Sequence, residues 1–166
     1  MDAQDEERRL LAILSGDVVG YSRLMTADER ATITMLDGLR DVIGQEVLAH
    51  HGRVVDFTGD NFLAEFGSAV HAMHAALAIQ RAIALINANV AETQRMVFRI
   101  GAHLGDVRIV GERLYGNGVN VAARLEGLAP AGGICLSRQL YEQVDGQLNL
   151  AVRDLGPRVL KNLVRQ

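Results

Sequence analysis

The sequence predicts an α+β fold, a sheet with helices packed on one side, in the βαββαβ order of a ferredoxin-like core followed by additional αβ units. Three observations predict it. Short apolar, β-branched and aromatic runs alternate with two long stretches of helical periodicity, their order along the chain is β-α-β-β-α-β, and a glycine-bearing turn joins two of the strands into a hairpin. With 166 residues, 49% of them hydrophobic, the chain is long enough for one domain, residues 1–166, around a sizeable core. No internal repeat or low-complexity linker interrupts it.

Leu10–Leu14 is a continuous apolar run ending at Ser15-Gly16-Asp17, the pattern of a buried strand that delivers a carboxylate at its C-terminal edge. Val18–Ser22 reads as a compact turn. Thr26-Ala27-Asp28-Glu29 has the form of a capping box, and Ile33, Leu36, Leu39, Ile43 and Val47 follow at helical spacing until Gly52 can cap the C-terminus. Val54–Phe57 and Phe62–Phe66 flank Thr58-Gly59-Asp60-Asn61, whose Gly and Asn tolerate positive φ, so the stretch reads as a hairpin with Asp60 at its tip. Ser68 caps a second helix reaching about Asn89. Its apolar face is broad enough to lie flat on a sheet. Val97–Gly101 and Val107–Val110 read as strands, and Gly111-Glu112 turns the chain into Arg113-Leu114-Tyr115. The small-residue helix that follows carries Asn120 and Arg124 at i and i+4 on one face. Gly132–Ser137 reads as a strand, Arg138–Val144 as a short helix and Leu150–Asp154 as a last strand.

Composition narrows the function. A net charge of −3 gives no sequence-independent grip on DNA or on an acidic membrane, so any phosphate binding is local. Met1–Arg9 is charged and no run approaches the roughly 18 apolar residues of a membrane span, so the expectation is a soluble, cytoplasmic chain. The single cysteine, Cys135, lies in an apolar strand and reads as a buried thiol. His71 and His74 have a helical spacing that can bind metal, but no third or fourth ligand stands near them in sequence, which favours a solvated face.

Asp17 ends a strand and Asp60 tips a hairpin. If the first two strands are neighbours, the two carboxylates converge into a hard oxygen site for two Mg²⁺ or Mn²⁺ ions, which implies phosphoryl chemistry. The Val18–Ser22 turn, with Gly20 and Tyr21 at its centre, then offers backbone N–H groups to polyphosphate oxygens.

These residues resemble the class III nucleotidyl cyclases, the catalytic domains of adenylyl and guanylyl cyclases, from Leu10 to Asn162. The resemblance rests on Ile13-Leu14-Ser15-Gly16-Asp17-Val18-Val19-Gly20-Tyr21-Ser22, on Thr58-Gly59-Asp60, on Phe98-Arg99-Ile100-Gly101 with Leu104-Gly105-Asp106-Val107, and on Tyr115-Gly116-Asn117-Gly118 leading into Val119–Glu126. It implies the class III cyclase fold and conversion of a nucleoside triphosphate, ATP or GTP, to the 3′,5′-cyclic monophosphate and pyrophosphate. It assigns two divalent metal ions to Asp17, Asp60 and Val18, and phosphate contacts to Arg99 and to Lys161, the only lysine in the chain. Asn120 would orient the ribose and Arg124 would stabilise charge on the α-phosphate. In the family the aspartates come from one subunit and the asparagine–arginine pair from the other. The implied assembly is therefore a homodimer with two interfacial sites, and a lone monomer is expected to be inactive.

Two positions depart from the family pattern. Where members that use ATP carry a lysine and an aspartate or threonine to select the base, this chain has Asp56 and Arg113. In the family's pose these match the donors and acceptors of guanine, or of uracil, and mismatch adenine, at about 1–3 kcal/mol per unpaired group. Alternatively the two residues pair with each other, or the base binds in another pose and ATP remains the substrate. Asn61, where the family often has Gly, is a smaller departure that a positive-φ turn accepts. The competing functional reading is a catalytically silent nucleotide-binding or dimerisation module of the same fold. A diguanylate cyclase shares the βαββαβ core, but its Gly-Gly-Asp/Glu-Glu-Phe signature is absent.

Overall fold

The computed structural model describes residues 6–157. The chain runs β1 (Glu6–Val18), α1 (Tyr21–Ala27), α2 (Glu29–Ala49), β2 (Gly52–Thr58), β3 (Asn61–Phe66), α3 (Ala69–Asn87), a 3₁₀ turn at Glu92–Gln94, β4 (Phe98–Val110), β5 (Arg113–Tyr115), α4 (Asn117–Glu126), β6 (Ile134–Leu136) and α5 (Arg138–Val144). The sheet order is β2-β3-β1-β4-β5, with β6 parallel to β4 and the other pairs antiparallel. The expected βαββαβ core is present, elaborated by β5, α4, β6 and α5.

Alternation along β1 divides the core. Ala12, Leu14 and Val18 face α2 and α3, where Leu36, Leu39, Ile43, Met73, Ala76 and Ile79 are buried with Phe66, Phe98 and Ile100. Leu11 and Ile13 face the other way, against Val107, Leu114 and Ala122 of α4. Helices therefore cover both faces. The expectation of helices on one side holds for α2 and α3 and fails for α4. What admits α4 is Gly101: a Cβ there would stand 2.2 Å from the Ala122 carbonyl oxygen and 2.4 Å from the Glu126 nitrogen. Only a residue without a side chain lets helix and strand backbones approach so closely.

Several local expectations are corrected. Asp28, not Thr26, caps α2, its carboxylate accepting from the Ala31 N–H at 3.1 Å, while Thr26 donates to the Ser22 carbonyl of the preceding helix α1. The residue that turns the chain after α2 is His51, at φ 66°, and Gly52 already belongs to β2. The hairpin turn is Gly59-Asp60, with Gly59 at φ 59°; Asn61 opens β3 and is not a positive-φ residue. The two strands expected between Val97 and Val110 are one 13-residue strand, held by pairing with β1 along its whole length. Leu150–Asp154 forms no strand. Ser68 and Ser137 cap α3 and α5, and Cys135 is buried as expected.

Contrary to the expectation that no run would reach membrane-spanning length, α3 is long and apolar enough by length and composition, with mean hydropathy 1.4. Its apolar stripe packs on the sheet, which accounts for that composition.

Candidate active site

β1 lies between β3 and β4, so β3 separates it from β2. The sequence-based route to convergence, through adjacent first and second strands, is therefore replaced by another: the β2–β3 turn folds over the end of β1. There the Val18 backbone N–H donates to Asp60 Oδ2 at 3.2 Å, placing Asp60 beside the residue that follows Asp17. The two carboxylates do meet at one end of the sheet.

Asp17 pairs in register with Arg99 of β4. Arg99 donates from Nε to Asp17 Oδ1 at 3.2 Å and from Nη2 to Oδ2 at 3.1 Å. The guanidinium is held above its ordinary pKa chiefly by this hydrogen bonding, with the charges of Asp17, Glu126 and Asp60 adding to it. Arg99, expected as a phosphate contact, serves in this structure as the counter-ion of Asp17.

A third carboxyl joins them. Glu126, at the end of α4, is buried and accepts a hydrogen bond from the Ser15 hydroxyl at 2.9 Å. Burial, then the charge of Asp17, pushes its pKa up to about 8. The sequence reading named Glu126 only as the end of a motif. The signal available was a carboxylate four residues after Ala122, on the apolar stripe of α4, where a solvated glutamate does not belong.

With Glu126 largely protonated at neutral pH, the two aspartates beside one guanidinium leave the site short of positive charge. That shortage, together with oxygen-only donors, suits a hard divalent cation at Asp17 and Asp60. Among the described residues no three His, Cys, Asp or Glu side chains are already arranged around one point, so the two aspartates alone would provide the side-chain ligands. Val18, grouped with them, has its N–H engaged by Asp60. Gly20, at φ 67°, starts α1, and Tyr21 is its first residue.

Asn120 and Arg124 lie on the outer side of α4, both exposed, while Val121, Ala122, Leu125 and Glu126 are buried. Neither side chain has a hydrogen-bond or ion-pair partner among the described residues. Asp56, on β2, accepts a hydrogen bond from the Thr58 hydroxyl at 2.6 Å, and Arg113 begins β5. Asp56 and Arg113 stand on the two edge strands of the sheet path, and the sheet curls enough for Arg53 of β2 to donate to the Glu112 carbonyl, beside Arg113, at 3.2 Å. Asp56 is bonded to Thr58, and among the described residues no ion pair joins it to Arg113, so the expected pairing of the two is not formed. Lys161 lies outside the described residues.

Comparison with known proteins now decides the family. Residues 4–162 match the adenylate and guanylate cyclase catalytic domain. The chain belongs to that family. It is 44% identical over 166 residues, 99% of its length, to the Rhizobium meliloti (strain 1021) protein named "Putative adenylate cyclase 3", and spans 28% of that relative. It likewise spans between half and three fifths of the next mycobacterial relatives. Among solved structures, the adenylate/guanylate cyclase/hydrolase from Silicibacter pomeroyi aligns with TM-score 0.90 and 35% identity, covering 96% of this chain and 94% of the other. The adenylyl cyclase CyaB from P. aeruginosa aligns with TM-score 0.85 over 96% of this chain and 91% of its own; at 21% identity it speaks for the fold alone.

Proposed function

We propose that this cyclase-family domain is an active nucleotidyl cyclase, closing the ribose 3′-oxygen of a nucleoside triphosphate onto its α-phosphorus and releasing pyrophosphate. The observation that carries the reading is the convergence of Asp17 and Asp60, against a single guanidinium, at one end of the sheet. Divalent metal held there would lower the barrier to deprotonating the 3′-hydroxyl and neutralise triphosphate charge. Asp17 and Asp60 bind the cation through carboxylate oxygens. Backbone N–H groups near Gly20 and Tyr21 would meet phosphate oxygens, and the Arg99 guanidinium would offer them further donors. Lys161 supplies a further phosphate contact. Asn120 orients the ribose and Arg124 stabilises charge building on the α-phosphate, so positioning and electrostatics provide most of the acceleration.

The exposed, unpartnered state of Asn120 and Arg124 supports a site completed by a second copy of the chain. So does the α4 side of the sheet, where Val55, Leu63, Ile109 and Val119 are only partly buried. In a symmetric dimer each copy offers its aspartates to one site and its Asn120–Arg124 pair to the other.

Two signals point to different bases. The acidic Asp56 and cationic Arg113 complement guanine or uracil, whereas the 44% identical relative carries the name of an adenylate cyclase. The test incubates the chain with Mn²⁺ and ATP, GTP, UTP or CTP separately, product identified by chromatography, with Asp17→Ala alongside. Cyclic GMP or cyclic UMP lost in the variant supports base reading by Asp56 and Arg113. Cyclic AMP supports the enzyme and rejects that base reading. No cyclic product from a verified dimer turns the reading to a silent nucleotide-binding module.

A further inference from the structure

Four of the five histidines in the chain meet where α2 ends and α3 begins. In sequence His71 and His74 lacked companions. The fold supplies them, because α2 and α3 pack side by side and the turn after α2 carries His50 and His51. The His51 and His71 rings are 4.7 Å apart between centroids and tilted by 42°, and the His50 and His74 rings are 6.3 Å apart and nearly parallel.

The first spacing is the informative one. Two imidazoles bound to one cation at about 2.0–2.1 Å, at angles between octahedral cis and tetrahedral, place their ring centroids about 4.5–5.2 Å apart. The His51–His71 pair falls in that range. The His50–His74 pair exceeds it by about 1 Å. His51 reaches its position through a left-handed backbone, φ 66°, the only positive φ at a non-glycine residue among those described. Gly or Asn is the usual occupant of such a place after a helix, and a residue with a Cβ pays a steric penalty there.

His50 adds a second feature. Its Nδ1 lies 2.7 Å from the Glu46 carbonyl oxygen, which can only accept, so the neutral ring carries its proton on Nδ1 and its lone pair on Nε2. Backbone support of this kind is what orients metal-binding histidines. All four rings are at least partly exposed, which leaves them accessible to an ion from solution.

We propose that His51 and His71 form a binding site for a borderline-soft divalent transition metal, Zn²⁺, Ni²⁺ or Cu²⁺, flanked by His50 and His74 and chemically distinct from the hard oxygen site at Asp17 and Asp60. No third side chain among those described converges with the pair, so water completes the coordination. A cation held there clasps the end of α2 to the first turns of α3, immediately before β2, the strand that leads to the Asp60 turn.

The test is isothermal titration of Zn²⁺ and, separately, Ni²⁺ into the full chain with excess Mg²⁺ present to occupy oxygen sites. It compares wild type with His51→Asn/His71→Gln, in which Asn keeps the left-handed backbone accessible. Circular dichroism confirms that the variant is folded, and His50→Ala/His74→Ala and Asp17→Ala serve as comparisons. The proposal expects one site per chain, weakened at least about tenfold by His51→Asn/His71→Gln and unchanged by Asp17→Ala. Equal binding in wild type and His51→Asn/His71→Gln, loss in Asp17→Ala instead, or no binding by wild type overturns it.

Discussion

Arg99 grips Asp17 with two parallel hydrogen bonds, 3.2 and 3.1 Å, across the β1–β4 pairing that also sets the two residues opposite each other. This places a cation against the carboxylates proposed to hold metal. Arg99→Gln leaves Asp17, Asp60 and Glu126 without that cation. Metal-free stability should fall by on the order of 1 kcal/mol, a modest figure because the pair is partly open to solvent. Added Mn²⁺ should then raise the melting temperature of the variant more than that of wild type. Calorimetry with and without Mn²⁺ measures both.

Glu126 should make the metal-free protein sensitive to alkali. Its folded pKa, about 8, is above the ordinary 4.5. A carboxyl of this kind binds its proton more tightly when folded, so its contribution is complete below about pH 4.5 and is lost as pH rises towards 8. Glu126→Gln keeps the shape and removes the titration. Urea midpoints between pH 5 and 8.5 in the presence of a chelator should decline with pH in wild type and decline less in the variant.

His103 sets the opposite limb. Buried beside the Ser137 hydroxyl, 2.8 Å from its Nδ1, it has its pKa pushed down to about 4 by burial. Its neutral form is favoured by folding, so its contribution is full above about pH 6.5 and is lost as pH falls through 6.5 towards 4. His103→Gln should flatten the acid side of the same stability profile between those values and leave the alkaline side unchanged.

Gly101→Ala tests the contact that seats α4. The added methyl meets backbone atoms of Ala122 and Glu126 that no rotamer change can move. A cost of about 1–3 kcal/mol is expected, read from the urea midpoint, and cyclase activity should fall with it, because α4 carries Glu126, Asn120 and Arg124.

Much of the core was legible because it rested on local signals that burial then reinforced. The Gly59-Asp60 turn between β-rich runs, the cap Ser68, and the apolar spacing from Leu36 to Val47 all agree with the fold. What escaped depended on distant partners. β4 reads as two strands because Gly101, His103, Gly105 and Asp106 disrupt its apolar pattern, yet Gly101 makes room for α4 and the strand persists by pairing with β1. Helix α1 begins in the expected turn Val18–Ser22 and runs on to Ala27, seven residues with one buried side chain, Leu24. The aspartates of the candidate site were readable from strand ends. Glu126 and the Arg99–Asp17 pair were not, since |i−j| of 111 and 82 separates them from their partners.

The central claim is that two copies share each active site, and mixing two defective chains tests it most directly. Asp17→Ala and Arg124→Ala should each abolish cyclic-nucleotide formation alone. After equal amounts are mixed and allowed to exchange subunits, about half the dimers are mixed and each holds one intact site of two, so about a quarter of wild-type activity should return. A mixture no more active than its separate components, in dimers shown to exchange, would place Asp17 and Arg124 in the same chain's site and contradict the account.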